Sequence, residues 1–258
     1  MAASVREWRV RTLRPGAKVY VVGVVVLDWA VTLTALAMAS RVSLAHLGLY
    51  LALLGCGGVV IEVIRAVGEP DGTMPHDLLG VWFLPIAVVL PPGYAFLAPI
   101  LVGAYRVVRI RSLFPYRRVF NAAALSLGWG AASIVFHAAP ASIAGPEPRS
   151  GQHAVTWVLL AAGCYLMAWA INSALTMAAI RLTTPEVPLR SGFGGRTAWA
   201  ADLGGLCGGV VVAAEVAVAG LVVVILALGP VIVIQRYLGN AQLAEQGGDD
   251  AQSGSSRS

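Results

Sequence analysis

Uninterrupted apolar runs constrain this chain more than any other feature. Residues 19–38 and 154–180 are nearly free of charge, and runs of that length span a hydrocarbon layer as single helices. In lipid every backbone N–H and C=O must be satisfied within the protein, so only helices or a closed barrel can cross. Barrel strands alternate apolar and polar residues over about ten positions, whereas these runs are continuous. The expectation is an all-α, polytopic helical membrane protein. Composition agrees, with 58% hydrophobic and 12% charged residues and a mean hydropathy of +0.77. Soluble domains carry about 25% charged residues.

Breaks in the apolar runs divide the chain into about eight spans, at residues 19–39, 45–66, 77–90, 93–109, 119–139, 154–181, 200–218 and 220–237. Proline disfavours helix at the residue before it, so Leu90-Pro91-Pro92-Gly93 separates the third span from the fourth. The run from Trp199 to Arg236 exceeds one membrane thickness and is divided near Ala219-Gly220, or left whole to give seven spans. The domain plan is a basic N-terminal segment over 1–18, a transmembrane domain over 19–238 and a disordered tail over 239–258. The tail is rich in Gly, Ser, Gln and Asp and cannot bury a core.

The net charge is +5. Because the arginines lie between apolar runs and form no single basic face, they report membrane orientation, and nucleic acid is not an expected partner. With eight spans and a cytoplasmic N-terminus, the inner segments hold sixteen of the 18 Lys and Arg residues, leaving only Arg41 and Arg149 outside. That bias predicts a multi-pass protein of the cell (plasma) membrane with both termini cytoplasmic. The Ala37-Met38-Ala39 tripeptide imitates a signal-peptidase site, but the preceding apolar stretch is overlong for an h-region and contains Asp28, so an uncleaved first span is expected.

Ionisable residues within spans are costly and mark functional candidates. Asp28 lies near the middle of the first span and is an ion, proton or ligand site, or a packing residue hydrogen-bonded to Thr32, Asn172 or a backbone group. Glu62 and Arg65 share one helix face and can pair. Glu215, near the outer end of the seventh span, has no basic neighbour in sequence. His46, His137 and His153 fall at the outer ends of spans two, five and six, while His76 is inside. The outer three, with Glu215, could hold a metal or sense pH, although their spacing is not that of a local ligand set. Three scattered cysteines build neither a disulfide framework nor a zinc site. Gly192-Phe193-Gly194-Gly195 follows no strand, and the chain has no P-loop, H-E-x-x-H or G-x-S-x-G. No enzymatic activity and no cofactor are expected. Glycine-rich faces such as Gly204-Gly205 and Gly208-Gly209 let helices pack closely, within the chain or against a second copy; the expected partners are the lipid bilayer, such a second copy and a cytoplasmic signalling protein.

Three stretches carry a family resemblance: LPPGYAFLAPILVGAYRVVRIRSLFPYRRVFNAAALSLGWGAA (90–132), NSALTMAAIRL (172–182) and QRYLGNAQLAEQ (235–246). Together they resemble the membrane region of actinobacterial GGDEF-type proteins, most strongly from Arg117 to Asn121. That resemblance implies a cytoplasmic C-terminus and a helix leading from 235–246 into a diguanylate cyclase domain. Only twelve residues follow Gln246, and Gly247-Gly248-Asp249-Asp250 is no catalytic signature. The expectation is therefore a sensor-like, regulatory membrane module without its own output domain. A small-solute or ion/proton permease is the alternative, since broken helices and midplane acids mark transport sites.

Overall fold

A computed structural model describes residues 14–38, 43–67, 78–109, 115–144, 151–183, 196–220, 222, 224–234 and 236–237, with the side chains at 64–67, 115 and 196–198 excepted. The remaining segments, which include the tail, His76 and the tripeptide's Ala39, lie outside the described residues. Among the described residues there is no strand. The helices are α1 (Pro15–Met38), α2 (Leu44–Val67), α3 (Gly80–Val89), α4 (Pro92–Arg109), α5 (Pro115–Ala138), α6 (Ala141–Ala144), α7 (Gln152–Thr183) and α8 (Arg196–Ala219), followed by α9 (Val224–Ile234). Five of them, α1, α2, α5, α7 and α8, contain stretches long and apolar enough to cross a membrane. An all-helical protein suited to a bilayer is what the runs required.

Two expected spans are shorter than a crossing. Helix α3 has 10 residues, about 15 Å at 1.5 Å per residue, or half a hydrocarbon core. It ends where Leu90 turns extended (φ −104°, ψ 155°) ahead of Pro91, the backbone region that a following proline imposes. Pro92 then opens α4 at a position where its missing N–H costs no helical bond. Helix α9 is likewise a short apolar helix. The break expected near Ala219-Gly220 is present. Gly220 adopts φ +65° and donates its N–H to the Val216 carbonyl at 2.9 Å, closing α8 in the left-handed conformation that glycine accepts without strain.

Contacts between helices fix their directions. Phe83 stacks near Trp129 and Ser133 reaches Ala87, so α3 runs parallel to α5. Ser126 reaches Phe96 and Arg118 reaches Arg106, so α4 runs antiparallel to α5. The pair α3–α4 is therefore a hairpin with one short arm. Helix α7 returns antiparallel to α5 through Phe136–Trp157 and Cys164–Ala132, and α8 antiparallel to α7 through Trp169–Trp199. These directions gather Lys18, Arg106, Arg109, Arg117, Arg118 and Arg181 at one end of the bundle, and His46, His137 and His153 at the other.

The short helix is the centre of the fold. Every residue from Val81 to Val88 is buried, and the surrounding cluster includes Leu53, Trp129, Phe136, Trp157 and Val212. The glycine pairs of α8 are used here, within the chain: Gly208 lies against Val81, and Gly209 against the Gly80 carbonyl and Leu84. Large apolar side chains such as Val19, Leu33, Leu159 and Val211 point outward, the arrangement suited to lipid. Helix α1 is peripheral. Its buried residues are Ala17, Val21, Val24, Asp28 and Thr32, at i, i+4, i+7, i+11 and i+15, a single narrow seam. A second, smaller cluster of Val21, Val24, Phe120, Ala123 and Ala124 joins it to α5.

Candidate functional site

The α1 seam carries a carboxylate at its midpoint. Asp28 is 1% exposed and Thr32 is fully buried one turn further on. Across the seam Ser126 of α5 lies beside the Asp28 carboxyl together with Thr32. Yet Asp28 Oδ1 and Thr32 Oγ1 have no hydrogen-bond partner among the described residues. The Ser126 hydroxyl is committed elsewhere, donating to the Phe96 carbonyl at 2.7 Å. A buried polar atom without a partner costs about 1–3 kcal/mol, and more when it is charged. Asp28 places that cost in the middle of the seam that holds α1.

Two other acids within the helices, Glu62 and Asp202, are satisfied. Glu62 accepts from Arg109 Nε at 2.7 Å and from Arg109 Nη2 at 3.2 Å, and from the Tyr105 hydroxyl at 2.6 Å. This fork joins α2 to α4 at the arginine end, a partnership between helices 47 residues apart that the pairing expected with Arg65 did not include. The side chain of Arg65 lies outside the described ones. Beside the fork, α2 and α4 enclose a groove of about 630 Å³ whose walls include Leu54, Gly55, Gly58 and Leu101, with Glu62 and Tyr105 at its polar end. Asp202 of α8 accepts from Trp169 Nε1 at 3.1 Å, while its carbonyl accepts from the Tyr165 hydroxyl at 3.2 Å.

The remaining sequence candidates are dispersed. Glu215 is exposed on α8, and Asn172 is half-buried on α7. His137 approaches the Ser133 carbonyl at 2.9 Å and packs its ring near Phe136. His46 is half-buried and His153 exposed. Among the described residues no three His, Cys, Asp or Glu side chains are grouped closely enough to hold a metal.

Sequence reasoning missed Ser126, Ser133 and Asp202. The serines are seven residues apart, hence on one face of α5, and each donates to a carbonyl of the α3–α4 hairpin. Ser133 bonds Ala87 at 2.6 Å, the carbonyl whose helical donor would have been the N–H that Pro91 lacks. The serine spacing, set beside the prolines, was the available signal. Asp202 was visible as an acid inside an apolar run. Chemically, the Asp28 seam offers a carboxylate and two hydroxyls, an oxygen-only set. Compared with protein families, curated proteins and solved structures, the chain matches none.

Proposed function

We propose that this chain is a sensor-like, regulatory module of the cell membrane, in which α1 is the responsive element and Asp28 its working group. The observation that carries the reading is the unpartnered Oδ1 of a carboxyl only 1% exposed, placed in the narrow seam that holds α1. A group left unsatisfied in one arrangement gives a bound species differential affinity between arrangements, which a switch needs. The centre of the bundle, by contrast, is filled by Trp82, Phe83, Leu84, Ile86, Phe136 and Trp157, which favours a fixed frame around which α1 responds. The resemblance of residues 90–132, 172–182 and 235–246 to GGDEF-associated membrane regions points the same way. On that reading, the partner is a cytoplasmic signalling protein or domain at the arginine end.

In this reading the chain crosses the membrane as eight helical segments, with α4 and the short α3 and α9 completing the count, and both termini are cytoplasmic. Arginines concentrated at one end of the bundle support that orientation. The permease reading draws on the half-length α3 and its break at Leu90-Pro91, since discontinuous helices line transport sites. Flux separates the two. Vesicles carrying the purified chain should hold imposed Na⁺ and pH gradients as long as protein-free vesicles do. A leak that Asp28→Asn abolishes would replace the module reading with transport.

A further inference from the structure

We propose that Asp28, Thr32 and Ser126 form a binding site for a small hard monovalent cation, a proton or Na⁺, in the seam between α1 and α5. The inference rests on the reading of α1 as the responsive element and names what that element responds to. Among the acids, Glu62 is held by Arg109 and Tyr105, and Asp202 by Trp169. Asp28 alone of the three combines near-complete burial with an unpartnered oxygen.

An unpaired carboxylate buried in hydrocarbon carries a desolvation penalty that a proton or a bound cation removes. The donor set selects among cations. Soft metals take thiolate or imidazole ligands, and neither is shown beside Asp28. Ca²⁺ takes six to eight oxygens, commonly from several carboxylates, and this seam supplies one. One carboxylate with two hydroxyls balances a single positive charge. Because the Ser126 hydrogen is donated to the Phe96 carbonyl, its oxygen retains lone pairs for a cation. In the proton case Asp28 takes up H⁺ to become a neutral acid whose O–H can donate to Thr32 Oγ1, and no other bond changes.

Charged groups on the neighbouring helices are remote from this point. On α1 itself, Lys18 is at the arginine end and Tyr20 donates to the Leu175 carbonyl. The helices packed on α1 are α4, α5 and α7. Arg106 and Arg109 of α4, Tyr116, Arg117 and Arg118 of α5, and Arg181 of α7 lie at or near the arginine end, as does Tyr105, which is bound to Glu62. Tyr94 of α4, His137 of α5 and His153 of α7 lie toward the other end. Tyr165 and Cys164 of α7 turn to Asp202 and Ala132. The apolar residues of α5 and α7 packed against the Val21–Val24 part of the seam are Phe120, Ala123, Ala124, Leu127, Leu175 and Ala179.

The test is thermal unfolding of the purified full-length chain in nanodiscs. NaCl is titrated against N-methylglucamine chloride at constant ionic strength and pH, and a pH series is then run without Na⁺. A ligand that binds the folded state alone raises the midpoint temperature. If the ligand is Na⁺, wild-type midpoint temperature rises with Na⁺. If it is a proton, the midpoint temperature ignores Na⁺ and shows a pH-dependent component. Asp28→Asn removes whichever response is present. Thr32→Val keeps the response with its titration midpoint displaced roughly tenfold, the worth of one polar ligand. A wild type indifferent to both titrations, or one that responds as Asp28→Asn does, overturns the proposal. Should Asp28→Asn fail to fold, an undisplaced midpoint in Thr32→Val overturns it instead. The assay reports binding alone, so binding without movement of α1 would leave the site standing and remove the proposed function.

Discussion

The polar side chains of the bundle interior work mostly on the backbone. Ser133 donates to Ala87 and Ser126 to Phe96, each meeting a carbonyl of a proline-interrupted hairpin. Replacing Ser133 by Ala leaves the Ala87 carbonyl buried with neither Pro91 nor a hydroxyl to bond it. A loss of about 1 kcal/mol is expected in a denaturation titration. Thr156, whose hydroxyl bonds only its own helix at exposed Gln152, should tolerate Ala within about 0.5 kcal/mol. Asp28 stood out in the sequence as an acid in an apolar run, costly unless it is paired or bound. Ser126 did not, since a hydroxyl in a lipid-facing helix can bond its own i−4 carbonyl. Only the fold shows that it crosses to Phe96. Asp202 was equally visible as an acid but its partner, Trp169, is 33 residues away, beyond any local pattern.

Helix positions followed closely from where apolar runs stop, because proline and glycine act on the local backbone. The observed α1, α2, α4, α5, α7 and α8 lie within a few residues of the expected spans. The central role of α3 was hidden, since its sequence reads simply as a short apolar run, and burial on all sides is a property of its neighbours. Glycine-rich α8 makes that burial possible. A Cβ at Gly205 would overlap the Tyr165 hydroxyl, which donates to the Asp202 carbonyl. Gly205→Ala should destabilise the chain by about 1–3 kcal/mol. Tyr165→Phe, which removes the obstructing oxygen, should recover part of that loss, giving a coupling of at least about 0.5 kcal/mol in a double-mutant cycle. Strict additivity would mean that α7 and α8 do not meet as described.

At the scale of the whole molecule, a large cluster centred on α3 is set against a small one under α1. This division, which no periodicity announces, is why α1 is the element assigned to move. The most direct test is the distance between spin labels on α1 and α5 in nanodiscs. Exposed Leu33 and Ile134 would be replaced by Cys in a chain carrying Cys207→Ser, Cys207 being the exposed native thiol. In the wild-type background, saturating Na⁺ or a change of pH should move the mean separation by at least about 2 Å, the scale of helix shifts in switching proteins. In the Asp28→Asn background the same treatment should leave one fixed distribution. A wild-type distribution unchanged by either treatment, or an equal shift without the carboxylate, would contradict the assignment of Asp28 and α1 as the responsive part of this protein.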